Sequence, residues 1–239
     1  LPTVDYIIVP IGGGGLITGI STLAKMLNPK IKVIGVEPAA AASMTAAFEK
    51  GEPVTLPSAN TIADGTAVKR VGETIFPYCK ENIHKIITVD DNELIGAFLD
   101  MVENHKMIVE NSGLLPVAAL SHLDLKDKKA VVVLSGGNMD VITMSSIVQH
   151  GLIQKDRIFS VSVLLPDKAG ELVKVASIIA KEKGNVIKLE HNQFVSINRI
   201  NAVELRVTME AYGTEHKLSI LKALEEAGFE PKVVDTKLY

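Results

Sequence analysis

The sequence has few of the features that mark exported, membrane-bound or nucleic-acid-binding proteins. It contains one cysteine in 239 residues, Cys79, so it forms no internal disulfide and offers no cysteine and histidine set at metal-ligand spacing. Its apolar runs are shorter than the roughly 20 residues that span a bilayer. Basic residues number 25 against 28 acidic ones, with no run of five like charges. We therefore expect a cytoplasmic protein without nucleic-acid or membrane partners.

The composition otherwise fits a globular protein, with 47% hydrophobic and 22% charged residues in a chain long enough for one large domain or two smaller ones. The sequence begins at Leu1 and passes directly into the strand-like run VDYIIVP. From this start we expect a segment of a longer polypeptide.

The first 150 residues alternate apolar β-branched runs with helical periodicity, the pattern of βαβ units. This pattern predicts an α/β fold: an open, mostly parallel sheet with helices on both faces. Ala130–Ser135, the uninterrupted run AVVVLS, is predicted to be a buried central strand. The other predicted strands are Asp5–Pro10, Lys32–Glu37 and Lys85–Val89, and the predicted helices are Leu16–Leu27, Ala41–Glu49, Asn92–His105 and Ser112–Leu123.

From about Arg157 the order of the predicted elements becomes βαββαβ, a ferredoxin-like arrangement. The boundary is predicted within Val148–Asp156, because this stretch contains Gly151 and a Lys-Asp-Arg step. The two domains are therefore expected at residues 1–152 and 157–239. The predicted elements are a strand at FSVSVLLPD, a helix at Gly170–Lys183, strands at Asn185–Ser196 and Ala202–Ala211, a helix at Glu215–Ala227 and a strand at Lys232–Asp235.

A run of four glycines follows the first predicted strand and leads into a helix. Such a loop exposes backbone N–H groups at the positive end of a helix and favours binding of a phosphate, although a bare tight turn is the alternative. A second glycine motif, Ser135–Asn138, follows the strand that ends near Leu134. Because ligands collect outside the carboxyl ends of parallel strands, one cofactor could contact both loops.

Four motifs together resemble a known family: VPIGGGGLITGI, KVIGVEP, TIADGTAV and VVVLSGGNMD. They are similar to the C-terminal half of the catalytic domain of pyridoxal-phosphate enzymes of the tryptophan-synthase-β fold type (fold type II). Threonine dehydratases (threonine ammonia-lyases) are the nearest members, and serine racemases and serine dehydratases are close. The resemblance implies deamination of L-threonine, or of L-serine, to 2-oxobutanoate or pyruvate and ammonia.

The resemblance also implies residue roles around pyridoxal 5′-phosphate. Ser135 would hydrogen-bond the pyridine nitrogen, with a strand-end cap as the alternative. The family presents the backbone of Ala63–Gly65 to the cofactor ring, although Asp64 could instead serve a turn or a cap. The family usually has proline where this chain has Asn111. The full set implied to contact the cofactor is Gly12, Gly13, Gly14, Gly15, Leu16, Gly65, Glu110, Ser135 and Gly136.

Two expectations concern what this chain does not supply. Serine racemase-like members bind a divalent cation through a glutamate at Glu37 and an aspartate at the position of Ser43, so a monovalent ion or none is expected here. In the family the Schiff-base lysine precedes the tetraglycine loop, and Lys25, Lys69 and Lys106 match surface positions. We expect no catalytic residue in this chain and activity only in the full-length enzyme.

The C-terminal part resembles an ACT domain, a small amino-acid-sensing module, from about Phe159 to Asp235. The resemblance implies a homo-oligomer, a dimer or tetramer, with an effector amino acid such as isoleucine or valine between two modules. The alternatives are that Asp167 caps a helix, that Gly170 eases the turn, and that Asn185 follows Gly184 as a helix terminator. A non-catalytic amino-acid-binding fragment is the alternative function. The implied effector residues are Asp167, Lys168, Ala169, Gly170, Glu171, Asn185 and Val186.

Overall fold

A four-stranded parallel sheet organises the first part of the chain in the computed structural model, which describes residues 3–192 and 203–236. The strand order is β3-β2-β1-β4, and all neighbouring pairs are parallel. The predicted α/β fold with a parallel sheet is therefore confirmed for this part of the chain. The strands are β1 (Tyr6–Pro10), β2 (Lys32–Pro38), β3 (Ile83–Val89) and β4 (Ala130–Val132).

Helices cover both faces of this sheet, because successive strand residues point to opposite sides. Ile8 lies in one apolar cluster with Leu94 and Leu114, whereas Val9 lies in the other with Ile17 and Met44. The helices are α1 (Gly15–Leu27), α2 (Ser43–Lys50), α3 (Phe76–Asn82), α4 (Asp91–Asp100), α5 (Asn111–Ala118) and α6 (Val141–Gln154).

Strand β4 differs from its prediction in length and burial. It ends at Val132 rather than Ser135, and its residues are only partly buried. The reason is its place in the sheet: β4 lies at an edge and, among the described residues, pairs with β1 alone. An apolar run does not reveal how many neighbours its strand has.

Some helices also differ from prediction. The predicted helix Asn92–His105 ends as an α-helix at Asp100 and continues as one π-helical stretch to His105, and Ser112–Leu123 ends as α5 at Ala118, followed by a 3₁₀ turn. Helices α3 and α6 were not predicted. Helix α6 occupies most of the stretch Val148–Asp156 that was predicted to separate the domains. Gly151 lies inside it, at a cost of about 1 kcal/mol relative to alanine, which the rest of the helix tolerates.

The second part contains a four-stranded antiparallel sheet of order β6-β7-β5-β8 with the βαββαβ chain order that was predicted. Its core includes Val161, Val175, Leu205 and Ile220. Residues 193–202, which include the end of one predicted strand and the start of the next, lie outside the described residues. The elements are β5 (Ile158–Leu165), α7 (Glu171–Lys181), β6 (Asn185–Asn192), β7 (Val203–Glu210), α8 (Thr214–Glu226) and β8 (Lys232–Val234).

The chain divides into two compact units, Leu1–Val148 and Gln149–Tyr239. The division falls inside α6. Which functional domain each unit represents stays a prediction at this point. Across the two described ranges, no helix combines the length and the apolar character needed to cross a membrane.

Candidate functional site

Parallel pairing brings the two glycine motifs to one edge of the first sheet. Ile8 of β1 is paired with Val132 of β4, and the two strands run in the same direction. The loop at Gly12 therefore begins four residues beyond this pair, and Ser135 lies three residues beyond it. Both loops leave the sheet at its carboxyl edge, where α/β proteins bind ligands.

The tetraglycine loop forms an open cradle at the start of α1. A Cβ atom placed on Gly13 or Gly15 would meet no atom within 4 Å, and both residues are exposed. The N–H of Thr18 donates to Gly14 O at 3.0 Å, which is the first hydrogen bond of the helix. The N–H groups that precede Thr18 in the first turn have no helical carbonyl to donate to. These donors and the positive helix end suit a phosphate group. Leu16 lies in the first turn, half-exposed.

A second segment, Ala63–Gly65, lies directly against this loop. A Cβ atom on Gly12 would lie 3.2 Å from the carbonyl oxygen of Gly65 and 3.1 Å from the Cα of Thr66. The Asp64 carboxylate accepts the N–H of Gly65 at 2.8 Å, so it interacts with its own backbone segment. Gly65 itself lies close to the next wall of the site, because its Cβ position is 2.9 Å from Ser112 Oγ.

Glu110 and Ser135–Asn138 complete the cluster. A Cβ atom on Gly136 would lie 2.0 Å from Glu110 Oε1, and the N–H of Asn138 donates to Glu110 Oε2 at 3.3 Å. A Cβ atom on Gly113 would lie 1.9 Å from the carbonyl oxygen of Ser135. The residues implied to contact the cofactor are thus brought together in one unit; their individual roles stay predictions.

Asn111 lies next to Glu110, at the position where the chain departs from the family's usual proline. Its side chain is buried, its Nδ2 donates to Ile62 O at 3.0 Å, and its Oδ1 has no partner among the described residues. Together with Asp64, Glu110 and Asn138, it lines a cavity of about 530 Å³. Ser112 and Thr66, which contact each other at 3.4 Å beneath Gly65, were not predicted as site residues.

Lys25, Lys69 and Lys106, which the resemblance assigns to surface positions, interact with nearby carbonyl groups. The Nζ atom of Lys25 donates to Pro29 O at 3.1 Å, that of Lys69 donates to Pro57 O at 3.4 Å, and that of Lys106 donates to Glu103 O. Within residues 3–192 and 203–236, no lysine lines the cavity beside Glu110.

Glu37 is a fully buried carboxylate that binds the beginning of α2. Its Oε1 accepts the N–H of Met44 at 2.7 Å, and its Oε2 accepts the N–H and the hydroxyl of Thr45 at 2.8 and 2.7 Å. Burial raises the pKa of Glu37, and these hydrogen bonds oppose that shift. Ser43 Oγ is buried and has no hydrogen-bond partner among residues 3–192 and 203–236. In the described part of the chain, no three His, Cys, Asp or Glu side chains cluster as metal ligands do.

The implied effector residues fall into two groups in the second unit. Residues Asp167–Glu171 line a cavity of about 250 Å³ together with His191. Asn185 and Val186 do not line it, because they begin β6 opposite the end of β7, and Asn185 donates to Glu210 Oε2 at 2.7 Å. Within one copy of the chain, the two groups lie at opposite ends of the sheet.

The first unit has a doubly covered parallel sheet whose carboxyl edge carries a phosphate-type cradle, and comparison with known proteins identifies the class. Residues 1–136 match the family of pyridoxal-phosphate dependent enzymes. The L-threonine ammonia-lyase of Geobacter sulfurreducens is 38% identical over 231 residues, which cover 96% of this chain and 58% of that protein. The chain therefore belongs to the pyridoxal-phosphate dependent enzymes and spans little more than half the length of this relative.

Solved structures agree with this assignment. The processed form of threonine deaminase isoform 2 from Solanum lycopersicum matches with a TM-score of 0.58 and 34% identity, covering 62% of this chain and 45% of that one. Maize serine racemase matches with a TM-score of 0.57 and 34% identity, and the match covers 64% of this chain and 49% of that one. Pyridoxal phosphate is the cofactor of this family, and the open cradle at Gly13 and Gly15 fits its phosphate.

We predict that G113A destabilises the first unit by about 1–3 kcal/mol or more, because the added methyl group would overlap the backbone of Ser135. The free energy of unfolding in urea measures this loss. G96A is the matched control: its methyl group meets nothing within 4 Å in α4 and should be neutral or stabilising. Equal stability of the two variants would contradict the close approach of Gly113 and Ser135.

We also predict that E37Q destabilises the protein by about 1–3 kcal/mol, since the amide nitrogen cannot accept the hydrogen bonds of Thr45. The difference from wild type should be largest near pH 4. A raised folded-state pKa means that the folded protein binds the proton more tightly, so the contribution of Glu37 is lost as pH rises from its ordinary value of 4.5 through the raised value. Urea unfolding of both proteins across this range measures the difference, and a difference that grows with pH would contradict the direction of the shift.

Proposed function

We propose that the chain is the C-terminal portion of a pyridoxal-phosphate dependent L-threonine ammonia-lyase. The observation that supports this most directly is the meeting of the tetraglycine loop, Glu110 and Ser135 at one sheet edge. The similarity to L-threonine ammonia-lyase of Geobacter sulfurreducens over nearly the whole chain supports the choice of threonine.

In this proposal the chain binds and orients the cofactor. The amide groups of Gly13–Gly15 hold the phosphate, and Ser135 offers a neutral hydroxyl to the pyridine nitrogen. Glu110 holds the loop that follows Ser135, since its carboxylate lies against Gly136 and accepts a hydrogen bond from the N–H of Asn138. When bound, pyridoxal phosphate supplies the electron sink that makes loss of the α-proton and of the β-hydroxyl feasible. The lysine that moves the proton would come from a segment preceding this sequence.

The cradle can be tested on this chain with pyridoxal phosphate and with pyridoxal, which lacks the phosphate. We expect G13D to weaken binding of pyridoxal phosphate at least tenfold relative to G13N, because a carboxylate repels the phosphate whereas the isosteric amide does not. Pyridoxal should bind both variants alike. Isothermal titration measures these affinities. Equal affinity of the two variants for pyridoxal phosphate would place the phosphate elsewhere.

The reaction itself requires the polypeptide that includes the preceding segment. Incubated with pyridoxal phosphate and L-threonine, it should release 2-oxobutanoate and ammonia in equal amounts, and L-serine should yield pyruvate. The similarity to maize serine racemase provides the competing outcome. Accumulation of D-serine from L-serine, without oxo acid from L-threonine, would replace the ammonia-lyase by a racemase.

We further propose that the second unit is an ACT-type regulatory domain whose effector site is shared between two copies. Strand β6 lies at an edge of its sheet and exposes Val186, Ile187 and Leu189 at 38%, 45% and 41%. If β6 pairs antiparallel with β6 of a second copy, Asn185 approaches the far end of the partner strand. That end carries His191, which lines the cavity of Asp167–Glu171. A two-fold contact therefore unites residues that one copy keeps apart.

This arrangement predicts that L189E abolishes both dimer formation and binding of isoleucine or valine, since each copy would place a charged carboxylate within the apolar strand pair. L218E is the matched control, because Leu218 is also an exposed leucine and lies on α8 of the same unit. Sedimentation measures the mass of the oligomer, and titration calorimetry measures the affinity for isoleucine and valine. A dimer in L189E, or effector binding by its monomer, would exclude the shared site.

A further inference from the structure

The tetraglycine loop is held from behind by a threonine in the first turn of α1. The Thr18 hydroxyl donates to Gly14 O at 2.6 Å, and the N–H of the same residue donates to this oxygen at 3.0 Å. The other side of Gly14 is closed, because a Cβ atom there would lie 2.8 Å from Ile75 Cδ1 and 2.9 Å from Met44 Cε. Gly14 has a φ of 95°, a left-handed conformation.

The direction of this carbonyl fixes the direction of the next amide. In a planar trans peptide, the C=O of Gly14 and the N–H of Gly15 point to opposite sides. With the carbonyl held toward the body of α1, the N–H of Gly15 points away from it, toward the open cradle. A peptide between two glycines can rotate at little steric cost, since glycine adopts both signs of φ. Rotation would present a carbonyl oxygen to an anion.

A buried cysteine holds the threonine in turn. Cys79, in α3, is fully buried and its Sγ lies 3.0 Å from Thr18 Oγ1. A threonine hydroxyl has one hydrogen, which goes to Gly14 O, so the thiol is the donor in this contact. Burial raises the pKa of the Cys79 thiol, which keeps the proton on the sulfur. The contact thus links α3, which the sequence pattern did not reveal, to the loop.

We propose that Thr18 is a positioning residue of the phosphate cradle, which keeps the Gly14–Gly15 peptide oriented with its N–H toward the bound phosphate, and that Cys79 fixes the side-chain rotamer of Thr18. The inference rests on the proposed binding of a phosphorylated cofactor at this loop. Neither residue touches the cofactor in this assignment.

The test compares T18V, which keeps the shape of threonine but loses the hydroxyl, with T18S, which keeps the hydroxyl. On the full 239-residue chain, T18V should bind pyridoxal phosphate about three- to tenfold more weakly than wild type, the effect of one lost hydrogen bond. T18S should stay within about twofold of wild type by the same reasoning. The affinity for pyridoxal should be the same in all three proteins, since it has no phosphate. C79A should weaken pyridoxal phosphate binding in the same direction as T18V.

Controls separate this inference from the function on which it rests. If wild type does not bind pyridoxal phosphate more tightly than pyridoxal, the cradle fails and the role of Thr18 fails with it. If wild type shows that preference and T18V shows it equally, only the positioning role is overturned. Equal weakening toward both ligands, or a loss in T18S as large as in T18V, would show a merely structural role. T18A repeats the comparison should T18V fail to fold.

Discussion

The parallel pairing of β1 with β4 is the constraint on which the candidate cofactor site depends. Because both strands run in the same direction, the loops that follow them leave at one edge, and residues 123 positions apart, Gly12 and Ser135, contribute to one cluster. A one-residue change of register would move Ile8 and Val9 each to the opposite face of the sheet and into the other apolar cluster. Because both faces are apolar, the register, and through it the site, depends on how the side chains of β1 fit each cluster.

Close approach of backbone at this edge requires glycine at particular positions. Gly113 has no room for a side chain because the backbone oxygen of Ser135 occupies the space, and Gly136 has a φ of 79°, which disfavours a side chain, with the Glu110 carboxylate beside it. Gly13 and Gly15, in contrast, have free space around them. The same residue type thus serves two purposes: at 113 and 136 it allows the protein to pack against itself, and at 13 and 15 it leaves room for a ligand. The sequence shows the glycines but not which purpose each one serves.

Local pattern predicted most of the elements. The β-branched run of β1 was enough to predict this strand to within one residue at its start. The βαββαβ order predicted for the second unit also agrees with the structure. The misses have physical causes. Helix α3 has only seven residues and begins with Phe76 and Pro77, so it has no repeated apolar spacing. Strand β4 is short because, in the described part of the chain, it pairs with one strand only. Helix α6 forms despite Gly151, and its Ile147 packs into the apolar core of the first unit.

Local sequence pattern predicted the site to the same extent as the fold: it found the motifs but not the long-range contacts. The tetraglycine loop and Ser135 could be found because each belongs to a short motif next to a predicted strand. The contacts of Asn111 with Ile62 and of Cys79 with Thr18 join residues 49 and 61 positions apart, and no spacing rule predicts them. Such contacts depend on how α3 and α5 pack against the rest of the first unit.

The two units differ in how strand direction assembles a site. In the first, parallel strands bring several loops to one edge, so the residues implied to contact the cofactor lie together within one copy. In the second, β5 and β6 are both antiparallel to β7 and hence parallel to each other, so the loop after β5 and the start of β6 lie roughly 25 Å apart, the length of these eight-residue strands. Asp167 and Asn185 can share one small ligand only if a second copy reverses the direction of one of them. The need for a dimer in the proposed regulatory site thus follows from the crossover connection itself.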